Sequence, residues 1–288
     1  MDSYSNAFST HRLAVRRSPC GVFARILVLL ALAPAVSLEA QETRYVAEIG
    51  DLAATTSVQD GFRIIEELEP QTLRDHIALT EIPAPPFQEE ARAEAFARLL
   101  TEAGADSVAL DEVGNVVAIR RGRAGGKTVV LGAHLDTVFP EGTDVTVRVC
   151  GDTLFAPGVG DDTRGLIVVL TVLRALERAG VETEADLVFL GSVGEEGLGD
   201  LRGVKHFFRA GGPSVDAFIE IDGAGSGTIV NKGLGSIRYR VTFRGPGGHS
   251  WGAFGLVNPA HALGRAVERF ATVADSLTRT GPRTSYNA

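Results

Sequence analysis

The sequence predicts an α/β fold, a mixed and mostly parallel sheet with helices on both faces, followed by the start of a second, α+β domain. Three observations carry this. The runs KTVVLGAHLD, ADLVFLGSVGEEG and VDAFIEIDGAG are apolar strands, the first a continuous run of the kind buried on both faces. Stretches with apolar residues at helical spacing separate strands along the chain, the alternation that builds a mostly parallel sheet. Each of the three apolar runs ends in titratable residues, at the edge where such sheets bind ligands.

Taken in order, residues 1–40 read as an export signal. Arg12, Arg16, Arg17 and Arg25 form a basic lead, residues 26–36 (ILVLLALAPAV) an apolar core, and Ala35, Ser37 and Ala40 lie at candidate cleavage points. The core is shorter than the roughly twenty residues that span a bilayer, so cleavage leaves no stable membrane span. An uncleaved anchor is the other reading. Cys20 has no lipid-attachment context after it, and cleavage leaves Cys150 without an internal partner. The expected destination is a bacterial periplasm or the exterior.

Residues 61–86 (GFRIIEELEPQTLRDHIALTEIPAPP) predict helical turns ending at Pro83, Pro85 and Pro86. Residues 87–105 (FQEEARAEAFARLLTEAGA) predict a helix stopped by Gly104, and residues 107–122 two strands around Gly114 and Asn115. After the strand 127–136 comes a helix over 163–179, with Asp162 as N-cap and Gly180 as stop. Near Gly233 the texture changes. GSIRYRVTFRGPGGHS alternates like a half-exposed strand, and NPAHALGRAVERFATVADSL reads as an amphipathic helix. The expected domains are therefore 41–234 and 235–288. A strand–helix pair cannot bury its own apolar face, so the second domain reads as incomplete.

The chain has 288 residues, 44% hydrophobic and 22% charged, which describes a globular protein. Its formal charge of -8 offers no basic field for nucleic acid. It suits a protein that gathers carboxylates around cations. Collected at the strand ends are His134, Asp136, Asp161, Asp162, Glu195, Glu196, Glu220 and Asp222. Together these anions repel one another unless a cation sits among them or several take up protons. Imidazole with carboxylates and no thiolate cluster suits zinc, manganese or cobalt better than calcium. Singly, each piece has a plainer reading: a structural His–Asp pair, a helix cap at Asp161–Asp162, a solvated loop at Glu195–Glu196. Their joint arrival at three strand ends is what the plain readings explain poorly.

The ordered series AHLDTV, APGVGDDTRG, GEEG and EIDG, followed by GPGGHS, resembles the dinuclear zinc exopeptidases and amidohydrolases. That group includes peptidase T, glutamate carboxypeptidase, acetylornithine deacetylase and succinyl-diaminopimelate desuccinylase. The resemblance implies a zinc exopeptidase-like fold with 41–234 catalytic and 235–288 the start of an inserted lid or dimerisation domain. It implies two zinc ions, with cobalt or manganese as alternatives. His134 and Asp222 would hold one ion, Asp161 would bridge, and Glu196 would hold the other. Asp136 would orient His134, and Glu195 would be the general base. His249 would stabilise the oxyanion, supplied in trans in dimeric relatives. Glu220 and Asp222 face the same way by alternation; Asp222 is preferred because it directly precedes Gly223.

The implied reaction is hydrolysis of a peptide or amide bond in a small peptide, aminopeptidase- or di/tripeptidase-like, or alternatively in an N-acyl amino acid. Full-length members would pair as homodimers through the lid. The family returns from its inserted domain to deliver a final histidine ligand, whereas this sequence ends within that domain. A C-terminally incomplete form with weak metal retention and little turnover is therefore expected, and neither His206 nor His261 is favoured as a substitute. Lys232, His206 and Asn258 have plainer readings than substrate contact. Two other classes fit less well. GHSWG matches a serine-hydrolase elbow, but AFGLVNP follows where a helix is needed, and His261 precedes Asp275 in the wrong order. A non-catalytic binding or dimerisation relative would have no need of Glu195.

Overall fold

The computed structural model describes residues 38–288 except 210, 224, 226 and 282. All but the end of the expected export signal lies outside the described residues. Two units divide the chain, one ending at Ser226 and the other Gly227–Ala288.

The first unit opens with four helices, α1 (Leu38–Ala53), α2 (Thr56–Glu67), α3 (Glu69–Thr80) and α4 (Glu90–Glu102). Pro70 falls in the first turn of α3, where a missing N–H is harmless. Gly104 just beyond α4 takes φ +103, a conformation that favours glycine. The strands β1 (Ser107–Leu110) and β2 (Val116–Arg120) follow, then β3 (Thr128–His134) and a short pair, β4 (Arg148–Cys150) and β5 (Thr153–Phe155). Next are α5 (Thr163–Arg178), β6 (Asp186–Ser192), a 3₁₀ turn (Gly197–Gly199), α6 (Arg202–Phe207) and β7 (Ala217–Glu220).

The main sheet has the order β1-β2-β6-β3-β7. β3 pairs in parallel with both β6 and β7, whereas β2 is antiparallel to β1 and β6. Only β2 thus runs against the other four, giving the mixed sheet expected. Alternation along β2 sends Val116 and Ala118 to one face and Val117 and Ile119 to the other. On the first face they meet Phe96 and Leu100 of α4 and Leu166, Leu170 and Leu173 of α5. Each of these five large side chains is fully buried, worth about 1.5–3 kcal/mol apiece against exposure. Phe207 of α6 packs on the other face with Val130, Val188 and Leu190. The consequence for function is placement: β3 and β6 are fixed on both faces, so the residues at their carboxyl ends are held firmly.

The exposed β4–β5 pair was not anticipated; its Cys150 is exposed and free. In the second unit, α7 (Pro259–Thr278) forms as expected, with the Asn258 side chain accepting from the Ala260 and His261 N–H groups. The strand expected over GSIRYRVTFRGPGGHS does not form. Ile237, Tyr239 and Val241 are 78%, 83% and 69% exposed. Alternation makes a strand only where a neighbour supplies ladder bonds and a surface to cover, and among the described residues this segment has neither. No helix among the described residues is long and apolar enough to cross a membrane.

Candidate active site

β3 ends at His134, 1% exposed, and two residues on lies Asp136, 0% exposed. The His134 backbone N–H donates to Asp162 Oδ2 at 2.8 Å. Asp162 in turn caps α5, accepting from the Gly165 N–H at 3.1 Å. One buried carboxylate therefore ties the strand end to the helix start. The peptide bond between Asp161 and Asp162 is cis.

His134 Nδ1 lies 2.9 Å from the Asp136 carbonyl oxygen. A carbonyl only accepts, so Nδ1 carries the proton. Nε2 is then aimed outward, 2.9 Å from Asp161 Oδ1 and 3.7 Å from Asp222 Oδ1. Asp136 does more than face the imidazole, 3.6 Å from Nδ1. Its Oδ1 accepts from the Glu195 N–H at 3.1 Å and its Oδ2 from the Glu196 N–H at 2.9 Å. The loop after β6 is thus pinned to the end of β3 by a single carboxylate. Sequence reading gave Asp136 the first role and missed the second, because the acceptor and its donors lie some sixty positions apart.

Six residues singled out from sequence come together here: His134, Asp136, Asp161, Glu195, Glu196 and Asp222. Two sets of donor atoms lie within 4.8 Å of one another, His134 with Glu195 and Glu196, and His134 with Asp161 and Asp222. Glu220 takes a different place. It pairs in register with Gly132, and a Cβ at 132 would sit 2.1 Å from Glu220 Oε2. The glycine therefore makes room for this carboxylate, whose Oε2 is buried without a hydrogen-bond partner. His206 stands apart, 3.8 Å from Asp111. His249 belongs to the second unit, where its Nδ1 accepts from the Trp251 and Gly252 N–H groups at 3.3 Å. That leaves Nε2–H as its free donor. No strand precedes Ser250, and α7 begins only at Pro259, so the serine-elbow geometry is not formed.

The electrostatics express an excess of negative charge. Burial works against a charged His134, yet Asp136, Asp222 and Asp162 overcome it and hold its pKa up at about 11. Burial, aided by Asp222 and Glu220 and opposed by His134, pushes Asp162 up to about 8. Burial likewise lifts Glu220 to about 7, with Asp222 and Glu195 adding to it. Glu195 and Glu196 are both raised, by burial first and neighbouring carboxylates second. Asp136 is also opposed by burial, but His134 and the two backbone N–H groups outweigh it and keep its carboxyl low. A cation placed among these groups would offset that charge. One imidazole and four carboxylates in two compact groups fit a hard-to-borderline divalent ion such as zinc or manganese.

The profile of Peptidase family M28 matches residues 115–233, the stretch that holds all of these residues except His249. Over that stretch the chain is similar to the zinc exopeptidases and amidohydrolases. The chain is 37% identical over 84 residues to carboxypeptidase G2 of Pseudomonas sp. (strain RS-16), covering 28% of this chain and 20% of that protein. It is 28% identical over 212 residues to succinyl-diaminopimelate desuccinylase of Corynebacterium glutamicum, covering 71% and 57%. Among solved structures, the dipeptidase Dug1p of Saccharomyces cerevisiae superposes with a TM-score of 0.53 at 19% identity, over 73% of this chain and 52% of that one. The likeness to Dug1p bears on fold alone. The chain spans between 20% and 57% of the length of these two curated relatives.

Proposed function

We propose that this chain carries the centre of a metal-dependent hydrolase that cleaves a peptide or amide bond in a small peptide, as an aminopeptidase- or di/tripeptidase-like exopeptidase. The observation that supports it most is the meeting of His134 with two carboxylate pairs, Asp161/Asp222 and Glu195/Glu196, at the carboxyl end of one sheet. His134 with Asp222 would hold one zinc ion, Glu196 a second, and Asp161 would bridge them; cobalt or manganese are the alternatives. When bound, two such ions polarise the scissile carbonyl and make water acidic enough to be deprotonated near neutral pH.

The protein's own groups do the rest. Glu195 takes the proton of the attacking water on a carboxylate oxygen and passes it to the leaving nitrogen. Its raised pKa suits both halves of that exchange. Asp136 holds the imidazole proton on Nδ1 through its carbonyl, and holds Glu195 and Glu196 through their backbone N–H groups. His249, with Nε2–H free to donate, would stabilise the oxyanion, in cis or from a partner subunit of a lid-mediated homodimer. An N-acyl amino acid fits the same bond chemistry and is the second reading of the substrate. Export to a periplasm or the exterior is proposed from residues 1–40 alone.

The test is metal titration of the purified chain, followed by activity screens on dipeptides, tripeptides and N-acetyl amino acids before and after chelation. Weak but saturable zinc uptake and slow, chelator-sensitive hydrolysis are expected. E195Q should keep zinc affinity while turnover falls by about 10²–10⁴-fold. An E195Q chain as active as wild type would remove Glu195 from the role of base.

A further inference from the structure

The loop that carries Glu195 and Glu196 leaves β6 after Ser192 and, past the 3₁₀ turn, enters α6. Its two ends meet at a neck. The Gly203 N–H donates to the Val193 carbonyl at 2.9 Å. Between the same two residues lies the side chain of Asn115, 0% exposed, from the turn joining β1 to β2. Its Oδ1 accepts from the Val193 N–H at 3.0 Å, and its Nδ2 donates to the Gly203 carbonyl at 3.0 Å. Three bonds therefore close a ring: Val193 to Asn115, Asn115 to Gly203, Gly203 to Val193. The carboxamide acts as an extra peptide group, completing a backbone ladder that the loop ends cannot close alone.

The fit is tight on every side. The second Nδ2 proton goes to Asp111 Oδ2 at 2.7 Å, and Asp111 Oδ1 accepts from the Asn115 and Val113 N–H groups at 3.0 Å each. A Cβ on Gly203 would sit 2.2 Å from Asn115 Oδ1 and 2.6 Å from the Val193 nitrogen, so only glycine closes the ring. Val193 is two positions from Glu195, and Asp136 grips the Glu195 and Glu196 amides along the same loop. With the neck open, the Asp136 bonds to the Glu195 and Glu196 N–H groups would remain, but the two ends of the loop would no longer be fixed to each other.

We propose that Asn115 is a positioning residue, fixing the Glu195 and Glu196 carboxylates through the neck of their loop without touching substrate or metal. The inference rests on the metal-hydrolase reading. Asparagine alone among side chains of this length offers both a carbonyl-like acceptor and an amide donor, which is what the two loop ends require.

The test is N115D, which keeps the size and the acceptor for Val193 but offers no N–H to Gly203 and sets a carboxylate against Asp111. Zinc affinity is read by competition with a chromophoric chelator, and kcat and KM on the substrate that wild type turns over. Zinc binding is expected to weaken about tenfold and kcat to fall about 10–100-fold, as for other groups that hold metal ligands in place, with KM within about twofold. A role confined to stability lowers the melting midpoint and leaves zinc affinity and kcat of the folded chain unchanged; that result overturns the proposal. Should N115D not fold, D111N decides by the same readouts, since it loosens Asn115 from behind while keeping the ring. A wild-type chain that takes up no zinc sinks the metal-hydrolase reading itself, a different outcome from zinc-binding wild type and unaltered variants.

Discussion

Asp136 shows how much one buried side chain can be asked to do. Its carbonyl sets the tautomer of His134, and its carboxylate satisfies the Glu195 and Glu196 amides. Such a group cannot be exchanged for its amide without loss. In D136N one oxygen becomes an NH₂ that must face a backbone N–H, leaving a buried donor without an acceptor. D136N is expected to weaken zinc binding by about 10–100-fold, as measured by equilibrium dialysis, while the far-ultraviolet circular dichroism stays that of wild type. Undiminished affinity would show that the clamp is dispensable. At this scale the sequence was readable in kind and not in detail. His134, Asp161, Glu195, Glu196 and Asp222 stood out because charge at the ends of apolar strands is conspicuous. Asn115 and Gly203 did not, since an asparagine in a turn and a glycine in a helix look ordinary until residues from distant segments are seen to share a hydrogen-bonded ring.

Among the elements, α3 touches the loop that leads to the site. The Nε2–H of His76, buried in that helix, donates to the Val159 carbonyl at 2.7 Å, in the loop that leads to Asp161. Burial holds the His76 pKa below its ordinary 6.5, more than the Val159 bond raises it. The unfolded chain therefore binds the extra proton more readily than the folded one in mild acid. The stability tied to neutral His76 is complete above about pH 6.5 and is lost as the pH falls through that value toward the folded pKa. H76Q keeps an amide donor for Val159 and does not titrate. In urea unfolding of the metal-free chain, the wild-type advantage over H76Q should shrink between pH 7.5 and pH 5.5; a pH-independent difference would refute this. Element recognition from sequence worked where burial enforces a pattern, as in β3, β6 and α5. It failed over GSIRYRVTFRGPGGHS, where alternation was present but no partner strand was, and over the exposed β4–β5 pair, where no apolar pattern existed to be seen.

For the whole molecule, the two units differ sharply in how much they bury. The first has two sheet faces covered, whereas in the second Ala274 is the one buried apolar residue among those described. Lys232, Arg238, Arg240 and Arg244 lie exposed in a segment without helix or strand. Exposed chain of this kind opens to proteases at little cost. Limited trypsin digestion should cut first within residues 232–244, as read by mass spectrometry, and leave β3, α5 and β6 on one product. Early cleavage inside α5 would contradict the burial seen there.

The site is also assembled from three strand ends, with β7 and Asp222 arriving last along the chain. A chain that is still extended thus has no cage, only scattered weak ligands. On the proposed route of export, the protein would meet its metal after translocation, and the ion would be selected by the compartment in which folding finishes. Refolding the chain from urea with zinc and manganese at equal concentrations should return whichever ion the cage prefers. The same protein recovered from its destination should instead mirror the supply there. Identical metal content in both preparations, under a manganese-rich supply, would mean that coordination chemistry overrides geography.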